Sequence, residues 1–143
     1  MILSIIIINY KTGLMTNECI KSIKRNIHSV PYEIIVVDNN SKDDSLDLIR
    51  SVHRDVKIVQ LHENLGYGTA VNEGVKDSNG QFLLFLNSDI LITQDYAKDL
   101  VEFYSNYNVG IIGIKLLKPS GKVQKTFGYF PLPVLVWKPG GKY

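Results

Sequence analysis

The sequence predicts an α/β fold, a Rossmann-like and mostly parallel sheet with helices on both faces. Three observations predict it. Four apolar runs of strand length alternate with four segments of helical periodicity. The first run, residues 2–8, is nearly continuous in β-branched residues, as is typical of a strand covered on both faces. The connections are short, which favours right-handed crossovers between parallel strands.

The elements follow in a regular order. Strands are predicted at residues 2–10, 32–38, 56–61 and 81–87, and helices at residues 16–28, 41–52, around 70–75 and at 96–104. The first helix shows apolar spacing that includes Met15 and Cys19, and Ser41 is the expected cap of the second. The fourth strand is expected to be central and buried on both faces. Two further strands are predicted at residues 109–117 and 121–127, whereas residues 128–143 hold three prolines and predict an irregular arm.

Composition and charge exclude several classes of protein. The net charge of +2 is too small to indicate nucleic-acid binding. Residues 103–143 nevertheless carry six lysines and no acid, so this end could meet phosphates or an anionic membrane surface, or could simply be a solvated face. A single cysteine, Cys19, excludes a disulfide framework and a cysteine-rich zinc site, and we expect it to be buried. No apolar run approaches the roughly 20 residues of a membrane span.

Polar side chains gather where each predicted strand ends. The ends are Asn9–Tyr10, Asp38–Ser41, Asn64–Gly68 and Asn87–Asp89. Each alone could be a turn, a helix cap or a loop glycine. Because parallel strands end at the same edge of a sheet, the four together predict one shared binding crevice.

Common nucleotide and hydrolase motifs are absent. There is no Gly-x-Gly-x-x-Gly after the first strand, no P-loop and no Gly-x-Ser-x-Gly. The histidines at positions 28, 53 and 62 have no partner at metal-ligand spacing, and we expect all three at the surface or in loops.

The segments "SIIIINY", "IIVVDNNSKDDS", "ENLGYGTAVNEG" and "FLLFLNSDI", in this order, resemble the amino-terminal half of family 2 glycosyltransferases over about residues 3–127. The pattern of residues 64–74, with Asn87–Asp89, looks most like the rhamnosyltransferase type. The resemblance implies the glycosyltransferase A fold, a nucleotide-sugar-binding domain at residues 1–127, and residues 128–143 as the start of an acceptor-binding part.

The resemblance also implies roles for matching positions. Asn9 and Tyr10 would line the nucleoside pocket, and Asp38 would accept a hydrogen bond from a pyrimidine N–H, which suits uracil or thymine. The other residues expected in the nucleotide site are Asn40, Asn64, Gly66, Gly68, Asn72 and Asn87. Asp89 would hold a divalent metal, Mn²⁺ or Mg²⁺, between the two phosphates. Asn87 replaces the first acid of the family motif, which weakens the expected metal site.

Inverting sugar transfer needs a general base, and none is visible downstream. The acids after Asp89 are Asp95, Asp99 and Glu102, all on the predicted fourth helix, and residues 103–143 contain none. We therefore expect the donor-binding half of a longer enzyme, or the product of a truncated gene, with no catalytic residue assigned.

Expected partners are a nucleoside diphosphate sugar and a saccharide or lipid-linked saccharide acceptor, with no nucleic acid. A cytoplasmic protein is expected, with peripheral membrane association and a homo-oligomer as open options.

Two alternative functions remain. One is a nucleotidyltransferase-like enzyme, which would need a glycine-rich loop beside Lys11. The other is an inactive nucleotide-binding or protein-interaction module. Binding of neither UDP nor dTDP would favour the interaction module.

Overall fold

The computed structural model describes residues 2–107 and 109–125 of the 143-residue chain. Its elements are β1 (Leu3–Asn9), α1 (Gly13–Asn26), β2 (Tyr32–Asp38), α2 (Ser45–Val52), β3 (Lys57–Gln60), α3 (Gly66–Lys76), β4 (Phe82–Asn87), α4 (Ala97–Tyr107), β5 (Leu116–Leu117) and β6 (Val123–Gln124). The chain divides into two compact units, residues 1–108 and 109–143. This division falls inside the predicted domain of residues 1–127, and the predicted arm of residues 128–143 lies outside the described residues.

The central sheet has the order β3-β2-β1-β4, and every neighbouring pair is parallel. In its register Asn9 of β1 lies opposite Asp38 of β2, and Ile8 lies opposite Asn87 of β4. The carboxyl ends of β1, β2 and β4 therefore meet at one edge, as the sequence predicts.

Helices cover both faces of this sheet, because successive side chains of a strand point to opposite faces. Ile5 and Ile7 of β1 belong to a core cluster with buried residues of α1, α2 and α4. Ile6 and Ile8 belong to a second cluster with α3. A Cβ atom on Gly74 of α3 would lie 2.6 Å from Cγ2 of Ile6, so the glycine lets this helix pack closely on the sheet.

The prediction of a central, doubly buried fourth strand is wrong. Among the described residues, β4 pairs only with β1 and forms the edge of the sheet. Leu83 and Phe85 are 39% and 44% exposed, since α3 packs on β1 and β2 rather than over β4. A uniformly apolar run shows that a strand is apolar on both sides, but it does not show what covers each side.

Several predicted boundaries also differ from the structure. Helix α1 begins at Gly13 rather than at residue 16, and α2 begins at Ser45, because Ser41 bonds to β1 and β2 instead of capping the helix. Helix α3 begins at Gly66, inside the predicted loop. Asp95 precedes α4 instead of lying on it.

One further expectation is corrected. The expected strand at residues 109–117 is reduced to the two residues of β5, which pairs with β6 in a separate antiparallel sheet. His53, expected at the surface or in a loop, directly follows α2 and is buried, with its ring 2.9 Å from the Asn17 side-chain oxygen. Among the described residues, no helix has the length and apolarity that a membrane span requires.

Candidate functional site

An open cleft of about 420 Å³ lies at the carboxyl edge of the sheet. The residues that line it come from the segments after β1, β2, β3 and β4: Ile8, Tyr10, Thr12, Met15, Asn39, Asn64, Gly66, Tyr67, Asn87, Ser88 and Asp89. The polar ends of the four strands thus contribute to one concavity, which is the arrangement expected of ligand sites in open parallel sheets.

A buried hydrogen-bond network joins the ends of β1 and β2 behind the cleft. The Nδ2 group of Asn9 donates to Oδ1 of Asp38 at 2.7 Å and to the Ser41 hydroxyl at 3.0 Å. The hydroxyls of Thr12 and Thr16 donate to the Asn9 side-chain oxygen. Asp38 is only 1% exposed, and its other carboxylate oxygen accepts the backbone N–H of Ser41 at 3.1 Å.

The loops after β1 and β2 contain three non-glycine residues in the left-handed region. They are Lys11, Asn40 and Lys42, with φ of 58°, 63° and 54°. Such residues cost of order 1–3 kcal/mol each and persist where surrounding contacts enforce them. Here the Ser41 hydroxyl accepts the Lys11 backbone N–H at 2.9 Å and so ties the two loops together. The strain is concentrated at the edge that carries the cleft.

Asn39 fixes the start of α3 at the cleft. Its side chain donates to Oδ1 of Asn64 at 2.9 Å and accepts the backbone N–H of Leu65 at 3.0 Å. Gly66 follows with a φ of +77°, a conformation that glycine adopts readily, and its N–H donates to Oδ1 of Asn64. The first turn of α3 therefore lines the cleft, and the positive end of a helix favours anions such as phosphate.

Asp89 sits on a tight turn after β4. The backbone N–H of Ile90 donates to the carbonyl of Asn87 at 3.2 Å, which closes the turn around Ser88 and Asp89. The thiol of Cys19 contacts the same carbonyl at 3.9 Å from inside the protein. Burial, with a smaller contribution from the negative charge of Asp89, raises the pKa of Cys19 to about 12, so this thiol stays protonated, as a structural residue.

The structure brings half of the predicted site residues to the cleft wall. Those that line it are Tyr10, Asn64, Gly66, Asn87 and Asp89. Asn9 and Asp38 are buried behind the wall, and Asn40, Gly68 and Asn72 are not among the lining residues. Asp38 accepts hydrogen bonds from the Asn9 amide, the Ser41 hydroxyl and the Ser41 backbone N–H, and it is buried, so this conformation does not present it to a pyrimidine in the cleft.

Six lining residues were not predicted as site residues: Ile8, Thr12, Met15, Asn39, Tyr67 and Ser88. Met15 is one of the regularly spaced apolar residues of α1, but it is exposed, whereas Cys19, one turn further along the helix, is buried. Tyr67 stands in the first turn of α3, and burial raises the pKa of its phenol. The signal for Asn39, Tyr67 and Ser88 was present, since each stands between or beside predicted site residues.

Comparison with known proteins decides the family. The family model described as glycosyl transferase family 2 matches residues 4–133, which is most of the chain. The chain belongs to this family.

Relatives within family 2 are much longer than this chain. Poly(ribitol-phosphate) β-N-acetylglucosaminyltransferase TarS of Staphylococcus aureus is 28% identical over 123 residues, which cover 83% of this chain and 22% of TarS. Poly-β-1,6-N-acetyl-D-glucosamine synthase of S. aureus is 27% identical over 95 residues, 63% of this chain and 23% of the synthase. The chain therefore spans less than a quarter of the length of either relative.

The structural comparison confirms the glycosyltransferase A fold. A crystal structure of S. aureus TarS residues 1–349 in complex with UDP-GlcNAc superimposes with a TM-score of 0.66 at 26% identity. The match covers 81% of this chain and 37% of that one. The parallel sheet and the helices on both faces are thus those of a family 2 glycosyltransferase domain, of which this chain contains a part.

Proposed function

We propose that this chain is the donor-binding part of a glycosyltransferase that moves a sugar, with inversion, from a nucleoside diphosphate sugar to a saccharide acceptor. The observation that carries the proposal is the cleft, where the turn of Asp89 and the first turn of α3 line the same space. A carboxylate can hold a cation, while a helix amino end favours phosphate. A diphosphate with a bound divalent metal satisfies both.

The oxygen-bearing side chains of the cleft suit a Mg²⁺ or Mn²⁺ ion that the bound diphosphate also coordinates. Among the described residues, no group of three or more His, Cys, Asp or Glu side chains could hold a metal alone. Such ions often take one or two protein carboxylates and fill the remaining positions with phosphate oxygens and water. Asp89 would hold the ion, and Asn87 and Ser88 would bond water or ribose hydroxyls. When bound, the metal stabilises negative charge on the departing diphosphate.

The donor we propose is UDP- or dTDP-linked. Support for uridine comes from TarS, whose structures contain UDP or UDP-GlcNAc. Thymidine is the second option, because the pyrimidine N–H that the resemblance pairs with Asp38 is present in thymine as well as in uracil. An acceptor in a cell-surface polysaccharide is consistent with the names of TarS and the S. aureus synthase. The lysines at positions 115, 118, 122 and 125 would suit a peripheral position at the cytoplasmic face of a membrane.

We also propose that this chain binds donor without completing transfer. Asp89 is the only Asp or Glu among the residues that line the cleft. Asp95 accepts hydrogen bonds from residues 28 and 29, and Glu102 pairs with Lys98 on α4. Among the described residues, none of the acids that follow Asp89 lines the cleft. Steady sugar transfer to an acceptor by the purified chain would contradict this proposal.

Calorimetry with UDP and dTDP, each with Mn²⁺ and with EDTA, tests the donor site. We expect binding that strengthens with Mn²⁺, and we expect Asp89→Ala to remove that gain, a loss of at least about tenfold, or ~1.4 kcal/mol. The matched control is Asp99→Ala, which removes an exposed carboxylate on α4 and should bind as the unchanged chain does. If neither nucleotide binds under any condition, the donor site is wrong and the interaction module is favoured.

A further inference from the structure

One side of α1 faces the segment that carries Asp89. Met15, Cys19, Ser22 and Asn26, which we call the α1 stripe, follow each other at intervals of four, three and four residues and so share one side of the helix. Met15 lines the cleft with Asn87, Ser88 and Asp89. The other three residues contact the backbone that enters and leaves the Asp89 turn.

Cys19 contacts the start of this segment, and Ser22 and Asn26 contact its end. The Cys19 thiol lies 3.9 Å from the carbonyl of Asn87, which also closes the turn. At the other end, the backbone N–H of Ile92 donates to the Ser22 hydroxyl at 2.9 Å, and Nδ2 of Asn26 donates to the Ile92 carbonyl at 2.7 Å. Asp89 therefore lies between two backbone points that are both fixed to α1.

The Ser22 contact at Ile92 is buried, and the Asn26 contact is partly buried. Ser22 is buried, its hydroxyl donates to the Cys19 carbonyl at 2.7 Å, and it accepts only from Ile92. Asn26 donates to the Ser22 carbonyl at 2.9 Å as well as to Ile92. Ile92 and Ser22 are both buried, so water cannot take the place of the Ser22 hydroxyl without local opening. A buried N–H without a partner is destabilising, so the bond to Ser22 favours the observed position of the segment.

We propose that Ser22 and Asn26, assisted by Cys19, are positioning residues that preset Asp89 for the metal-diphosphate part of the donor. This inference rests on the proposed function, because Asp89 needs a preset position only if it binds the metal-diphosphate part of a donor. The residues act on backbone groups, so they hold the turn without competing for the ligand. A preset carboxylate avoids the entropic cost of ordering the turn when the ligand arrives.

The variant Ser22→Ala tests the proposal, with Ser51→Ala as the matched control. Ser51 of α2 also donates its hydroxyl to a carbonyl three residues earlier, that of Leu48, at 2.8 Å, but it is exposed and its hydroxyl does not bond to Ile92. Both variants lose the same kind of intrahelical bond. Only Ser22→Ala also loses the bond to Ile92.

Two measurements are needed, one of them without ligand. In the ligand-free chain, Ser22→Ala should speed hydrogen exchange of the Ile92 amide about tenfold or more relative to Ser51→Ala. In calorimetry, Ser22→Ala should weaken Mn²⁺-dependent UDP binding about five- to tenfold and leave UDP binding in EDTA unchanged. Ser22→Thr keeps the hydroxyl, so its UDP affinity should increase with Mn²⁺ as much as that of the unchanged chain. Asn26→Leu, nearly isosteric and without donors, should repeat the loss if Ser22→Ala folds poorly.

The outcomes separate this inference from the proposed function. If Asp89→Ala removes the metal-dependent gain but Ser22→Ala and Asn26→Leu keep it, positioning by the α1 stripe is wrong and the donor site stands. An equal loss in Ser22→Ala and Ser51→Ala would also overturn positioning, since it would reflect helix stability alone. If the unchanged chain shows no metal-dependent binding, the donor site itself is wrong and the inference fails with it.

Discussion

Asn9 uses its whole side-chain hydrogen-bonding capacity inside the protein. An asparagine amide has two N–H donors and an oxygen with two lone pairs. Asn9 donates to Asp38 and Ser41 and accepts from Thr12 and Thr16, and it is fully buried. A satisfied buried network of this kind fixes its members in one geometry. Asn9 thus holds the loops after β1 and β2 in place, which sets the back wall of the cleft.

We predict that Asn9→Ala destabilises the chain by about 2–4 kcal/mol, because it leaves a buried carboxylate and buried hydroxyls with fewer partners. The measurement is urea unfolding followed by circular dichroism. Asn106→Ala, at an exposed position of α4, is the control and should change the free energy of unfolding by less than about 0.5 kcal/mol. A similarly small effect of Asn9→Ala would show that the network does not stabilise the fold.

At the scale of elements, Asp95 connects the end of α1 to the start of α4. Its carboxylate accepts the backbone N–H groups of His28 and Ser29 at 2.8 and 2.7 Å, the Ser29 hydroxyl at 2.7 Å and the N–H of Ala97 at 3.1 Å. Slight burial raises its pKa, but these donors outweigh that effect and lower the pKa of Asp95 from 3.8 to about 2. The bonds therefore favour the charged form.

We predict that Asp95→Asn lowers the free energy of unfolding by an amount that depends on pH. The folded-state pKa is lower than the unfolded one, so this carboxylate stabilises the fold above the unfolded pKa of 3.8, and that contribution is lost as the pH falls towards 2. The difference in unfolding free energy between the two proteins should be largest at neutral pH and should shrink between pH 3.8 and about 2. Urea unfolding at a series of pH values measures it. Asp99→Asn, exposed in the first turn of α4, is the control, and a constant difference for Asp95→Asn would contradict the prediction.

The sequence predicted the order and type of the elements in the sheet because these depend on local periodicity. It did not predict their surroundings. Ser41 has the residue type of a helix cap, but β1 places Asn9 within reach, so its hydroxyl bonds there instead. The apolar run of β4 does not reveal that α3 leaves one of its faces open. In the site, the polar strand ends were visible, but whether a residue lines the cleft or lies behind it depends on packing.

At the scale of the whole molecule, the outer side of β4 presents an apolar strand to solvent. Phe82, Leu84 and Leu86 face the core with α1, whereas Leu83 and Phe85 point to the other face and stay exposed. Within the described residues, β4 pairs on one side only. An exposed apolar edge strand is a site for pairing with another chain. We therefore expect this chain, studied alone, to associate through β4.

We predict that Phe85→Lys weakens this association, since a lysine on an edge strand puts a charge where a second strand would pack. Sedimentation of the chain over a range of concentrations should show a dimer or larger species, and the association constant should fall about tenfold or more in Phe85→Lys, or ~1.4 kcal/mol. The control is Val52→Lys, which places the same charge on a half-exposed apolar residue at the end of α2 and leaves β4 unchanged. Equal loss in both variants would mean that net charge, not the edge of β4, controls association. A chain that stays monomeric at every concentration would show that Leu83 and Phe85 do not mediate self-association.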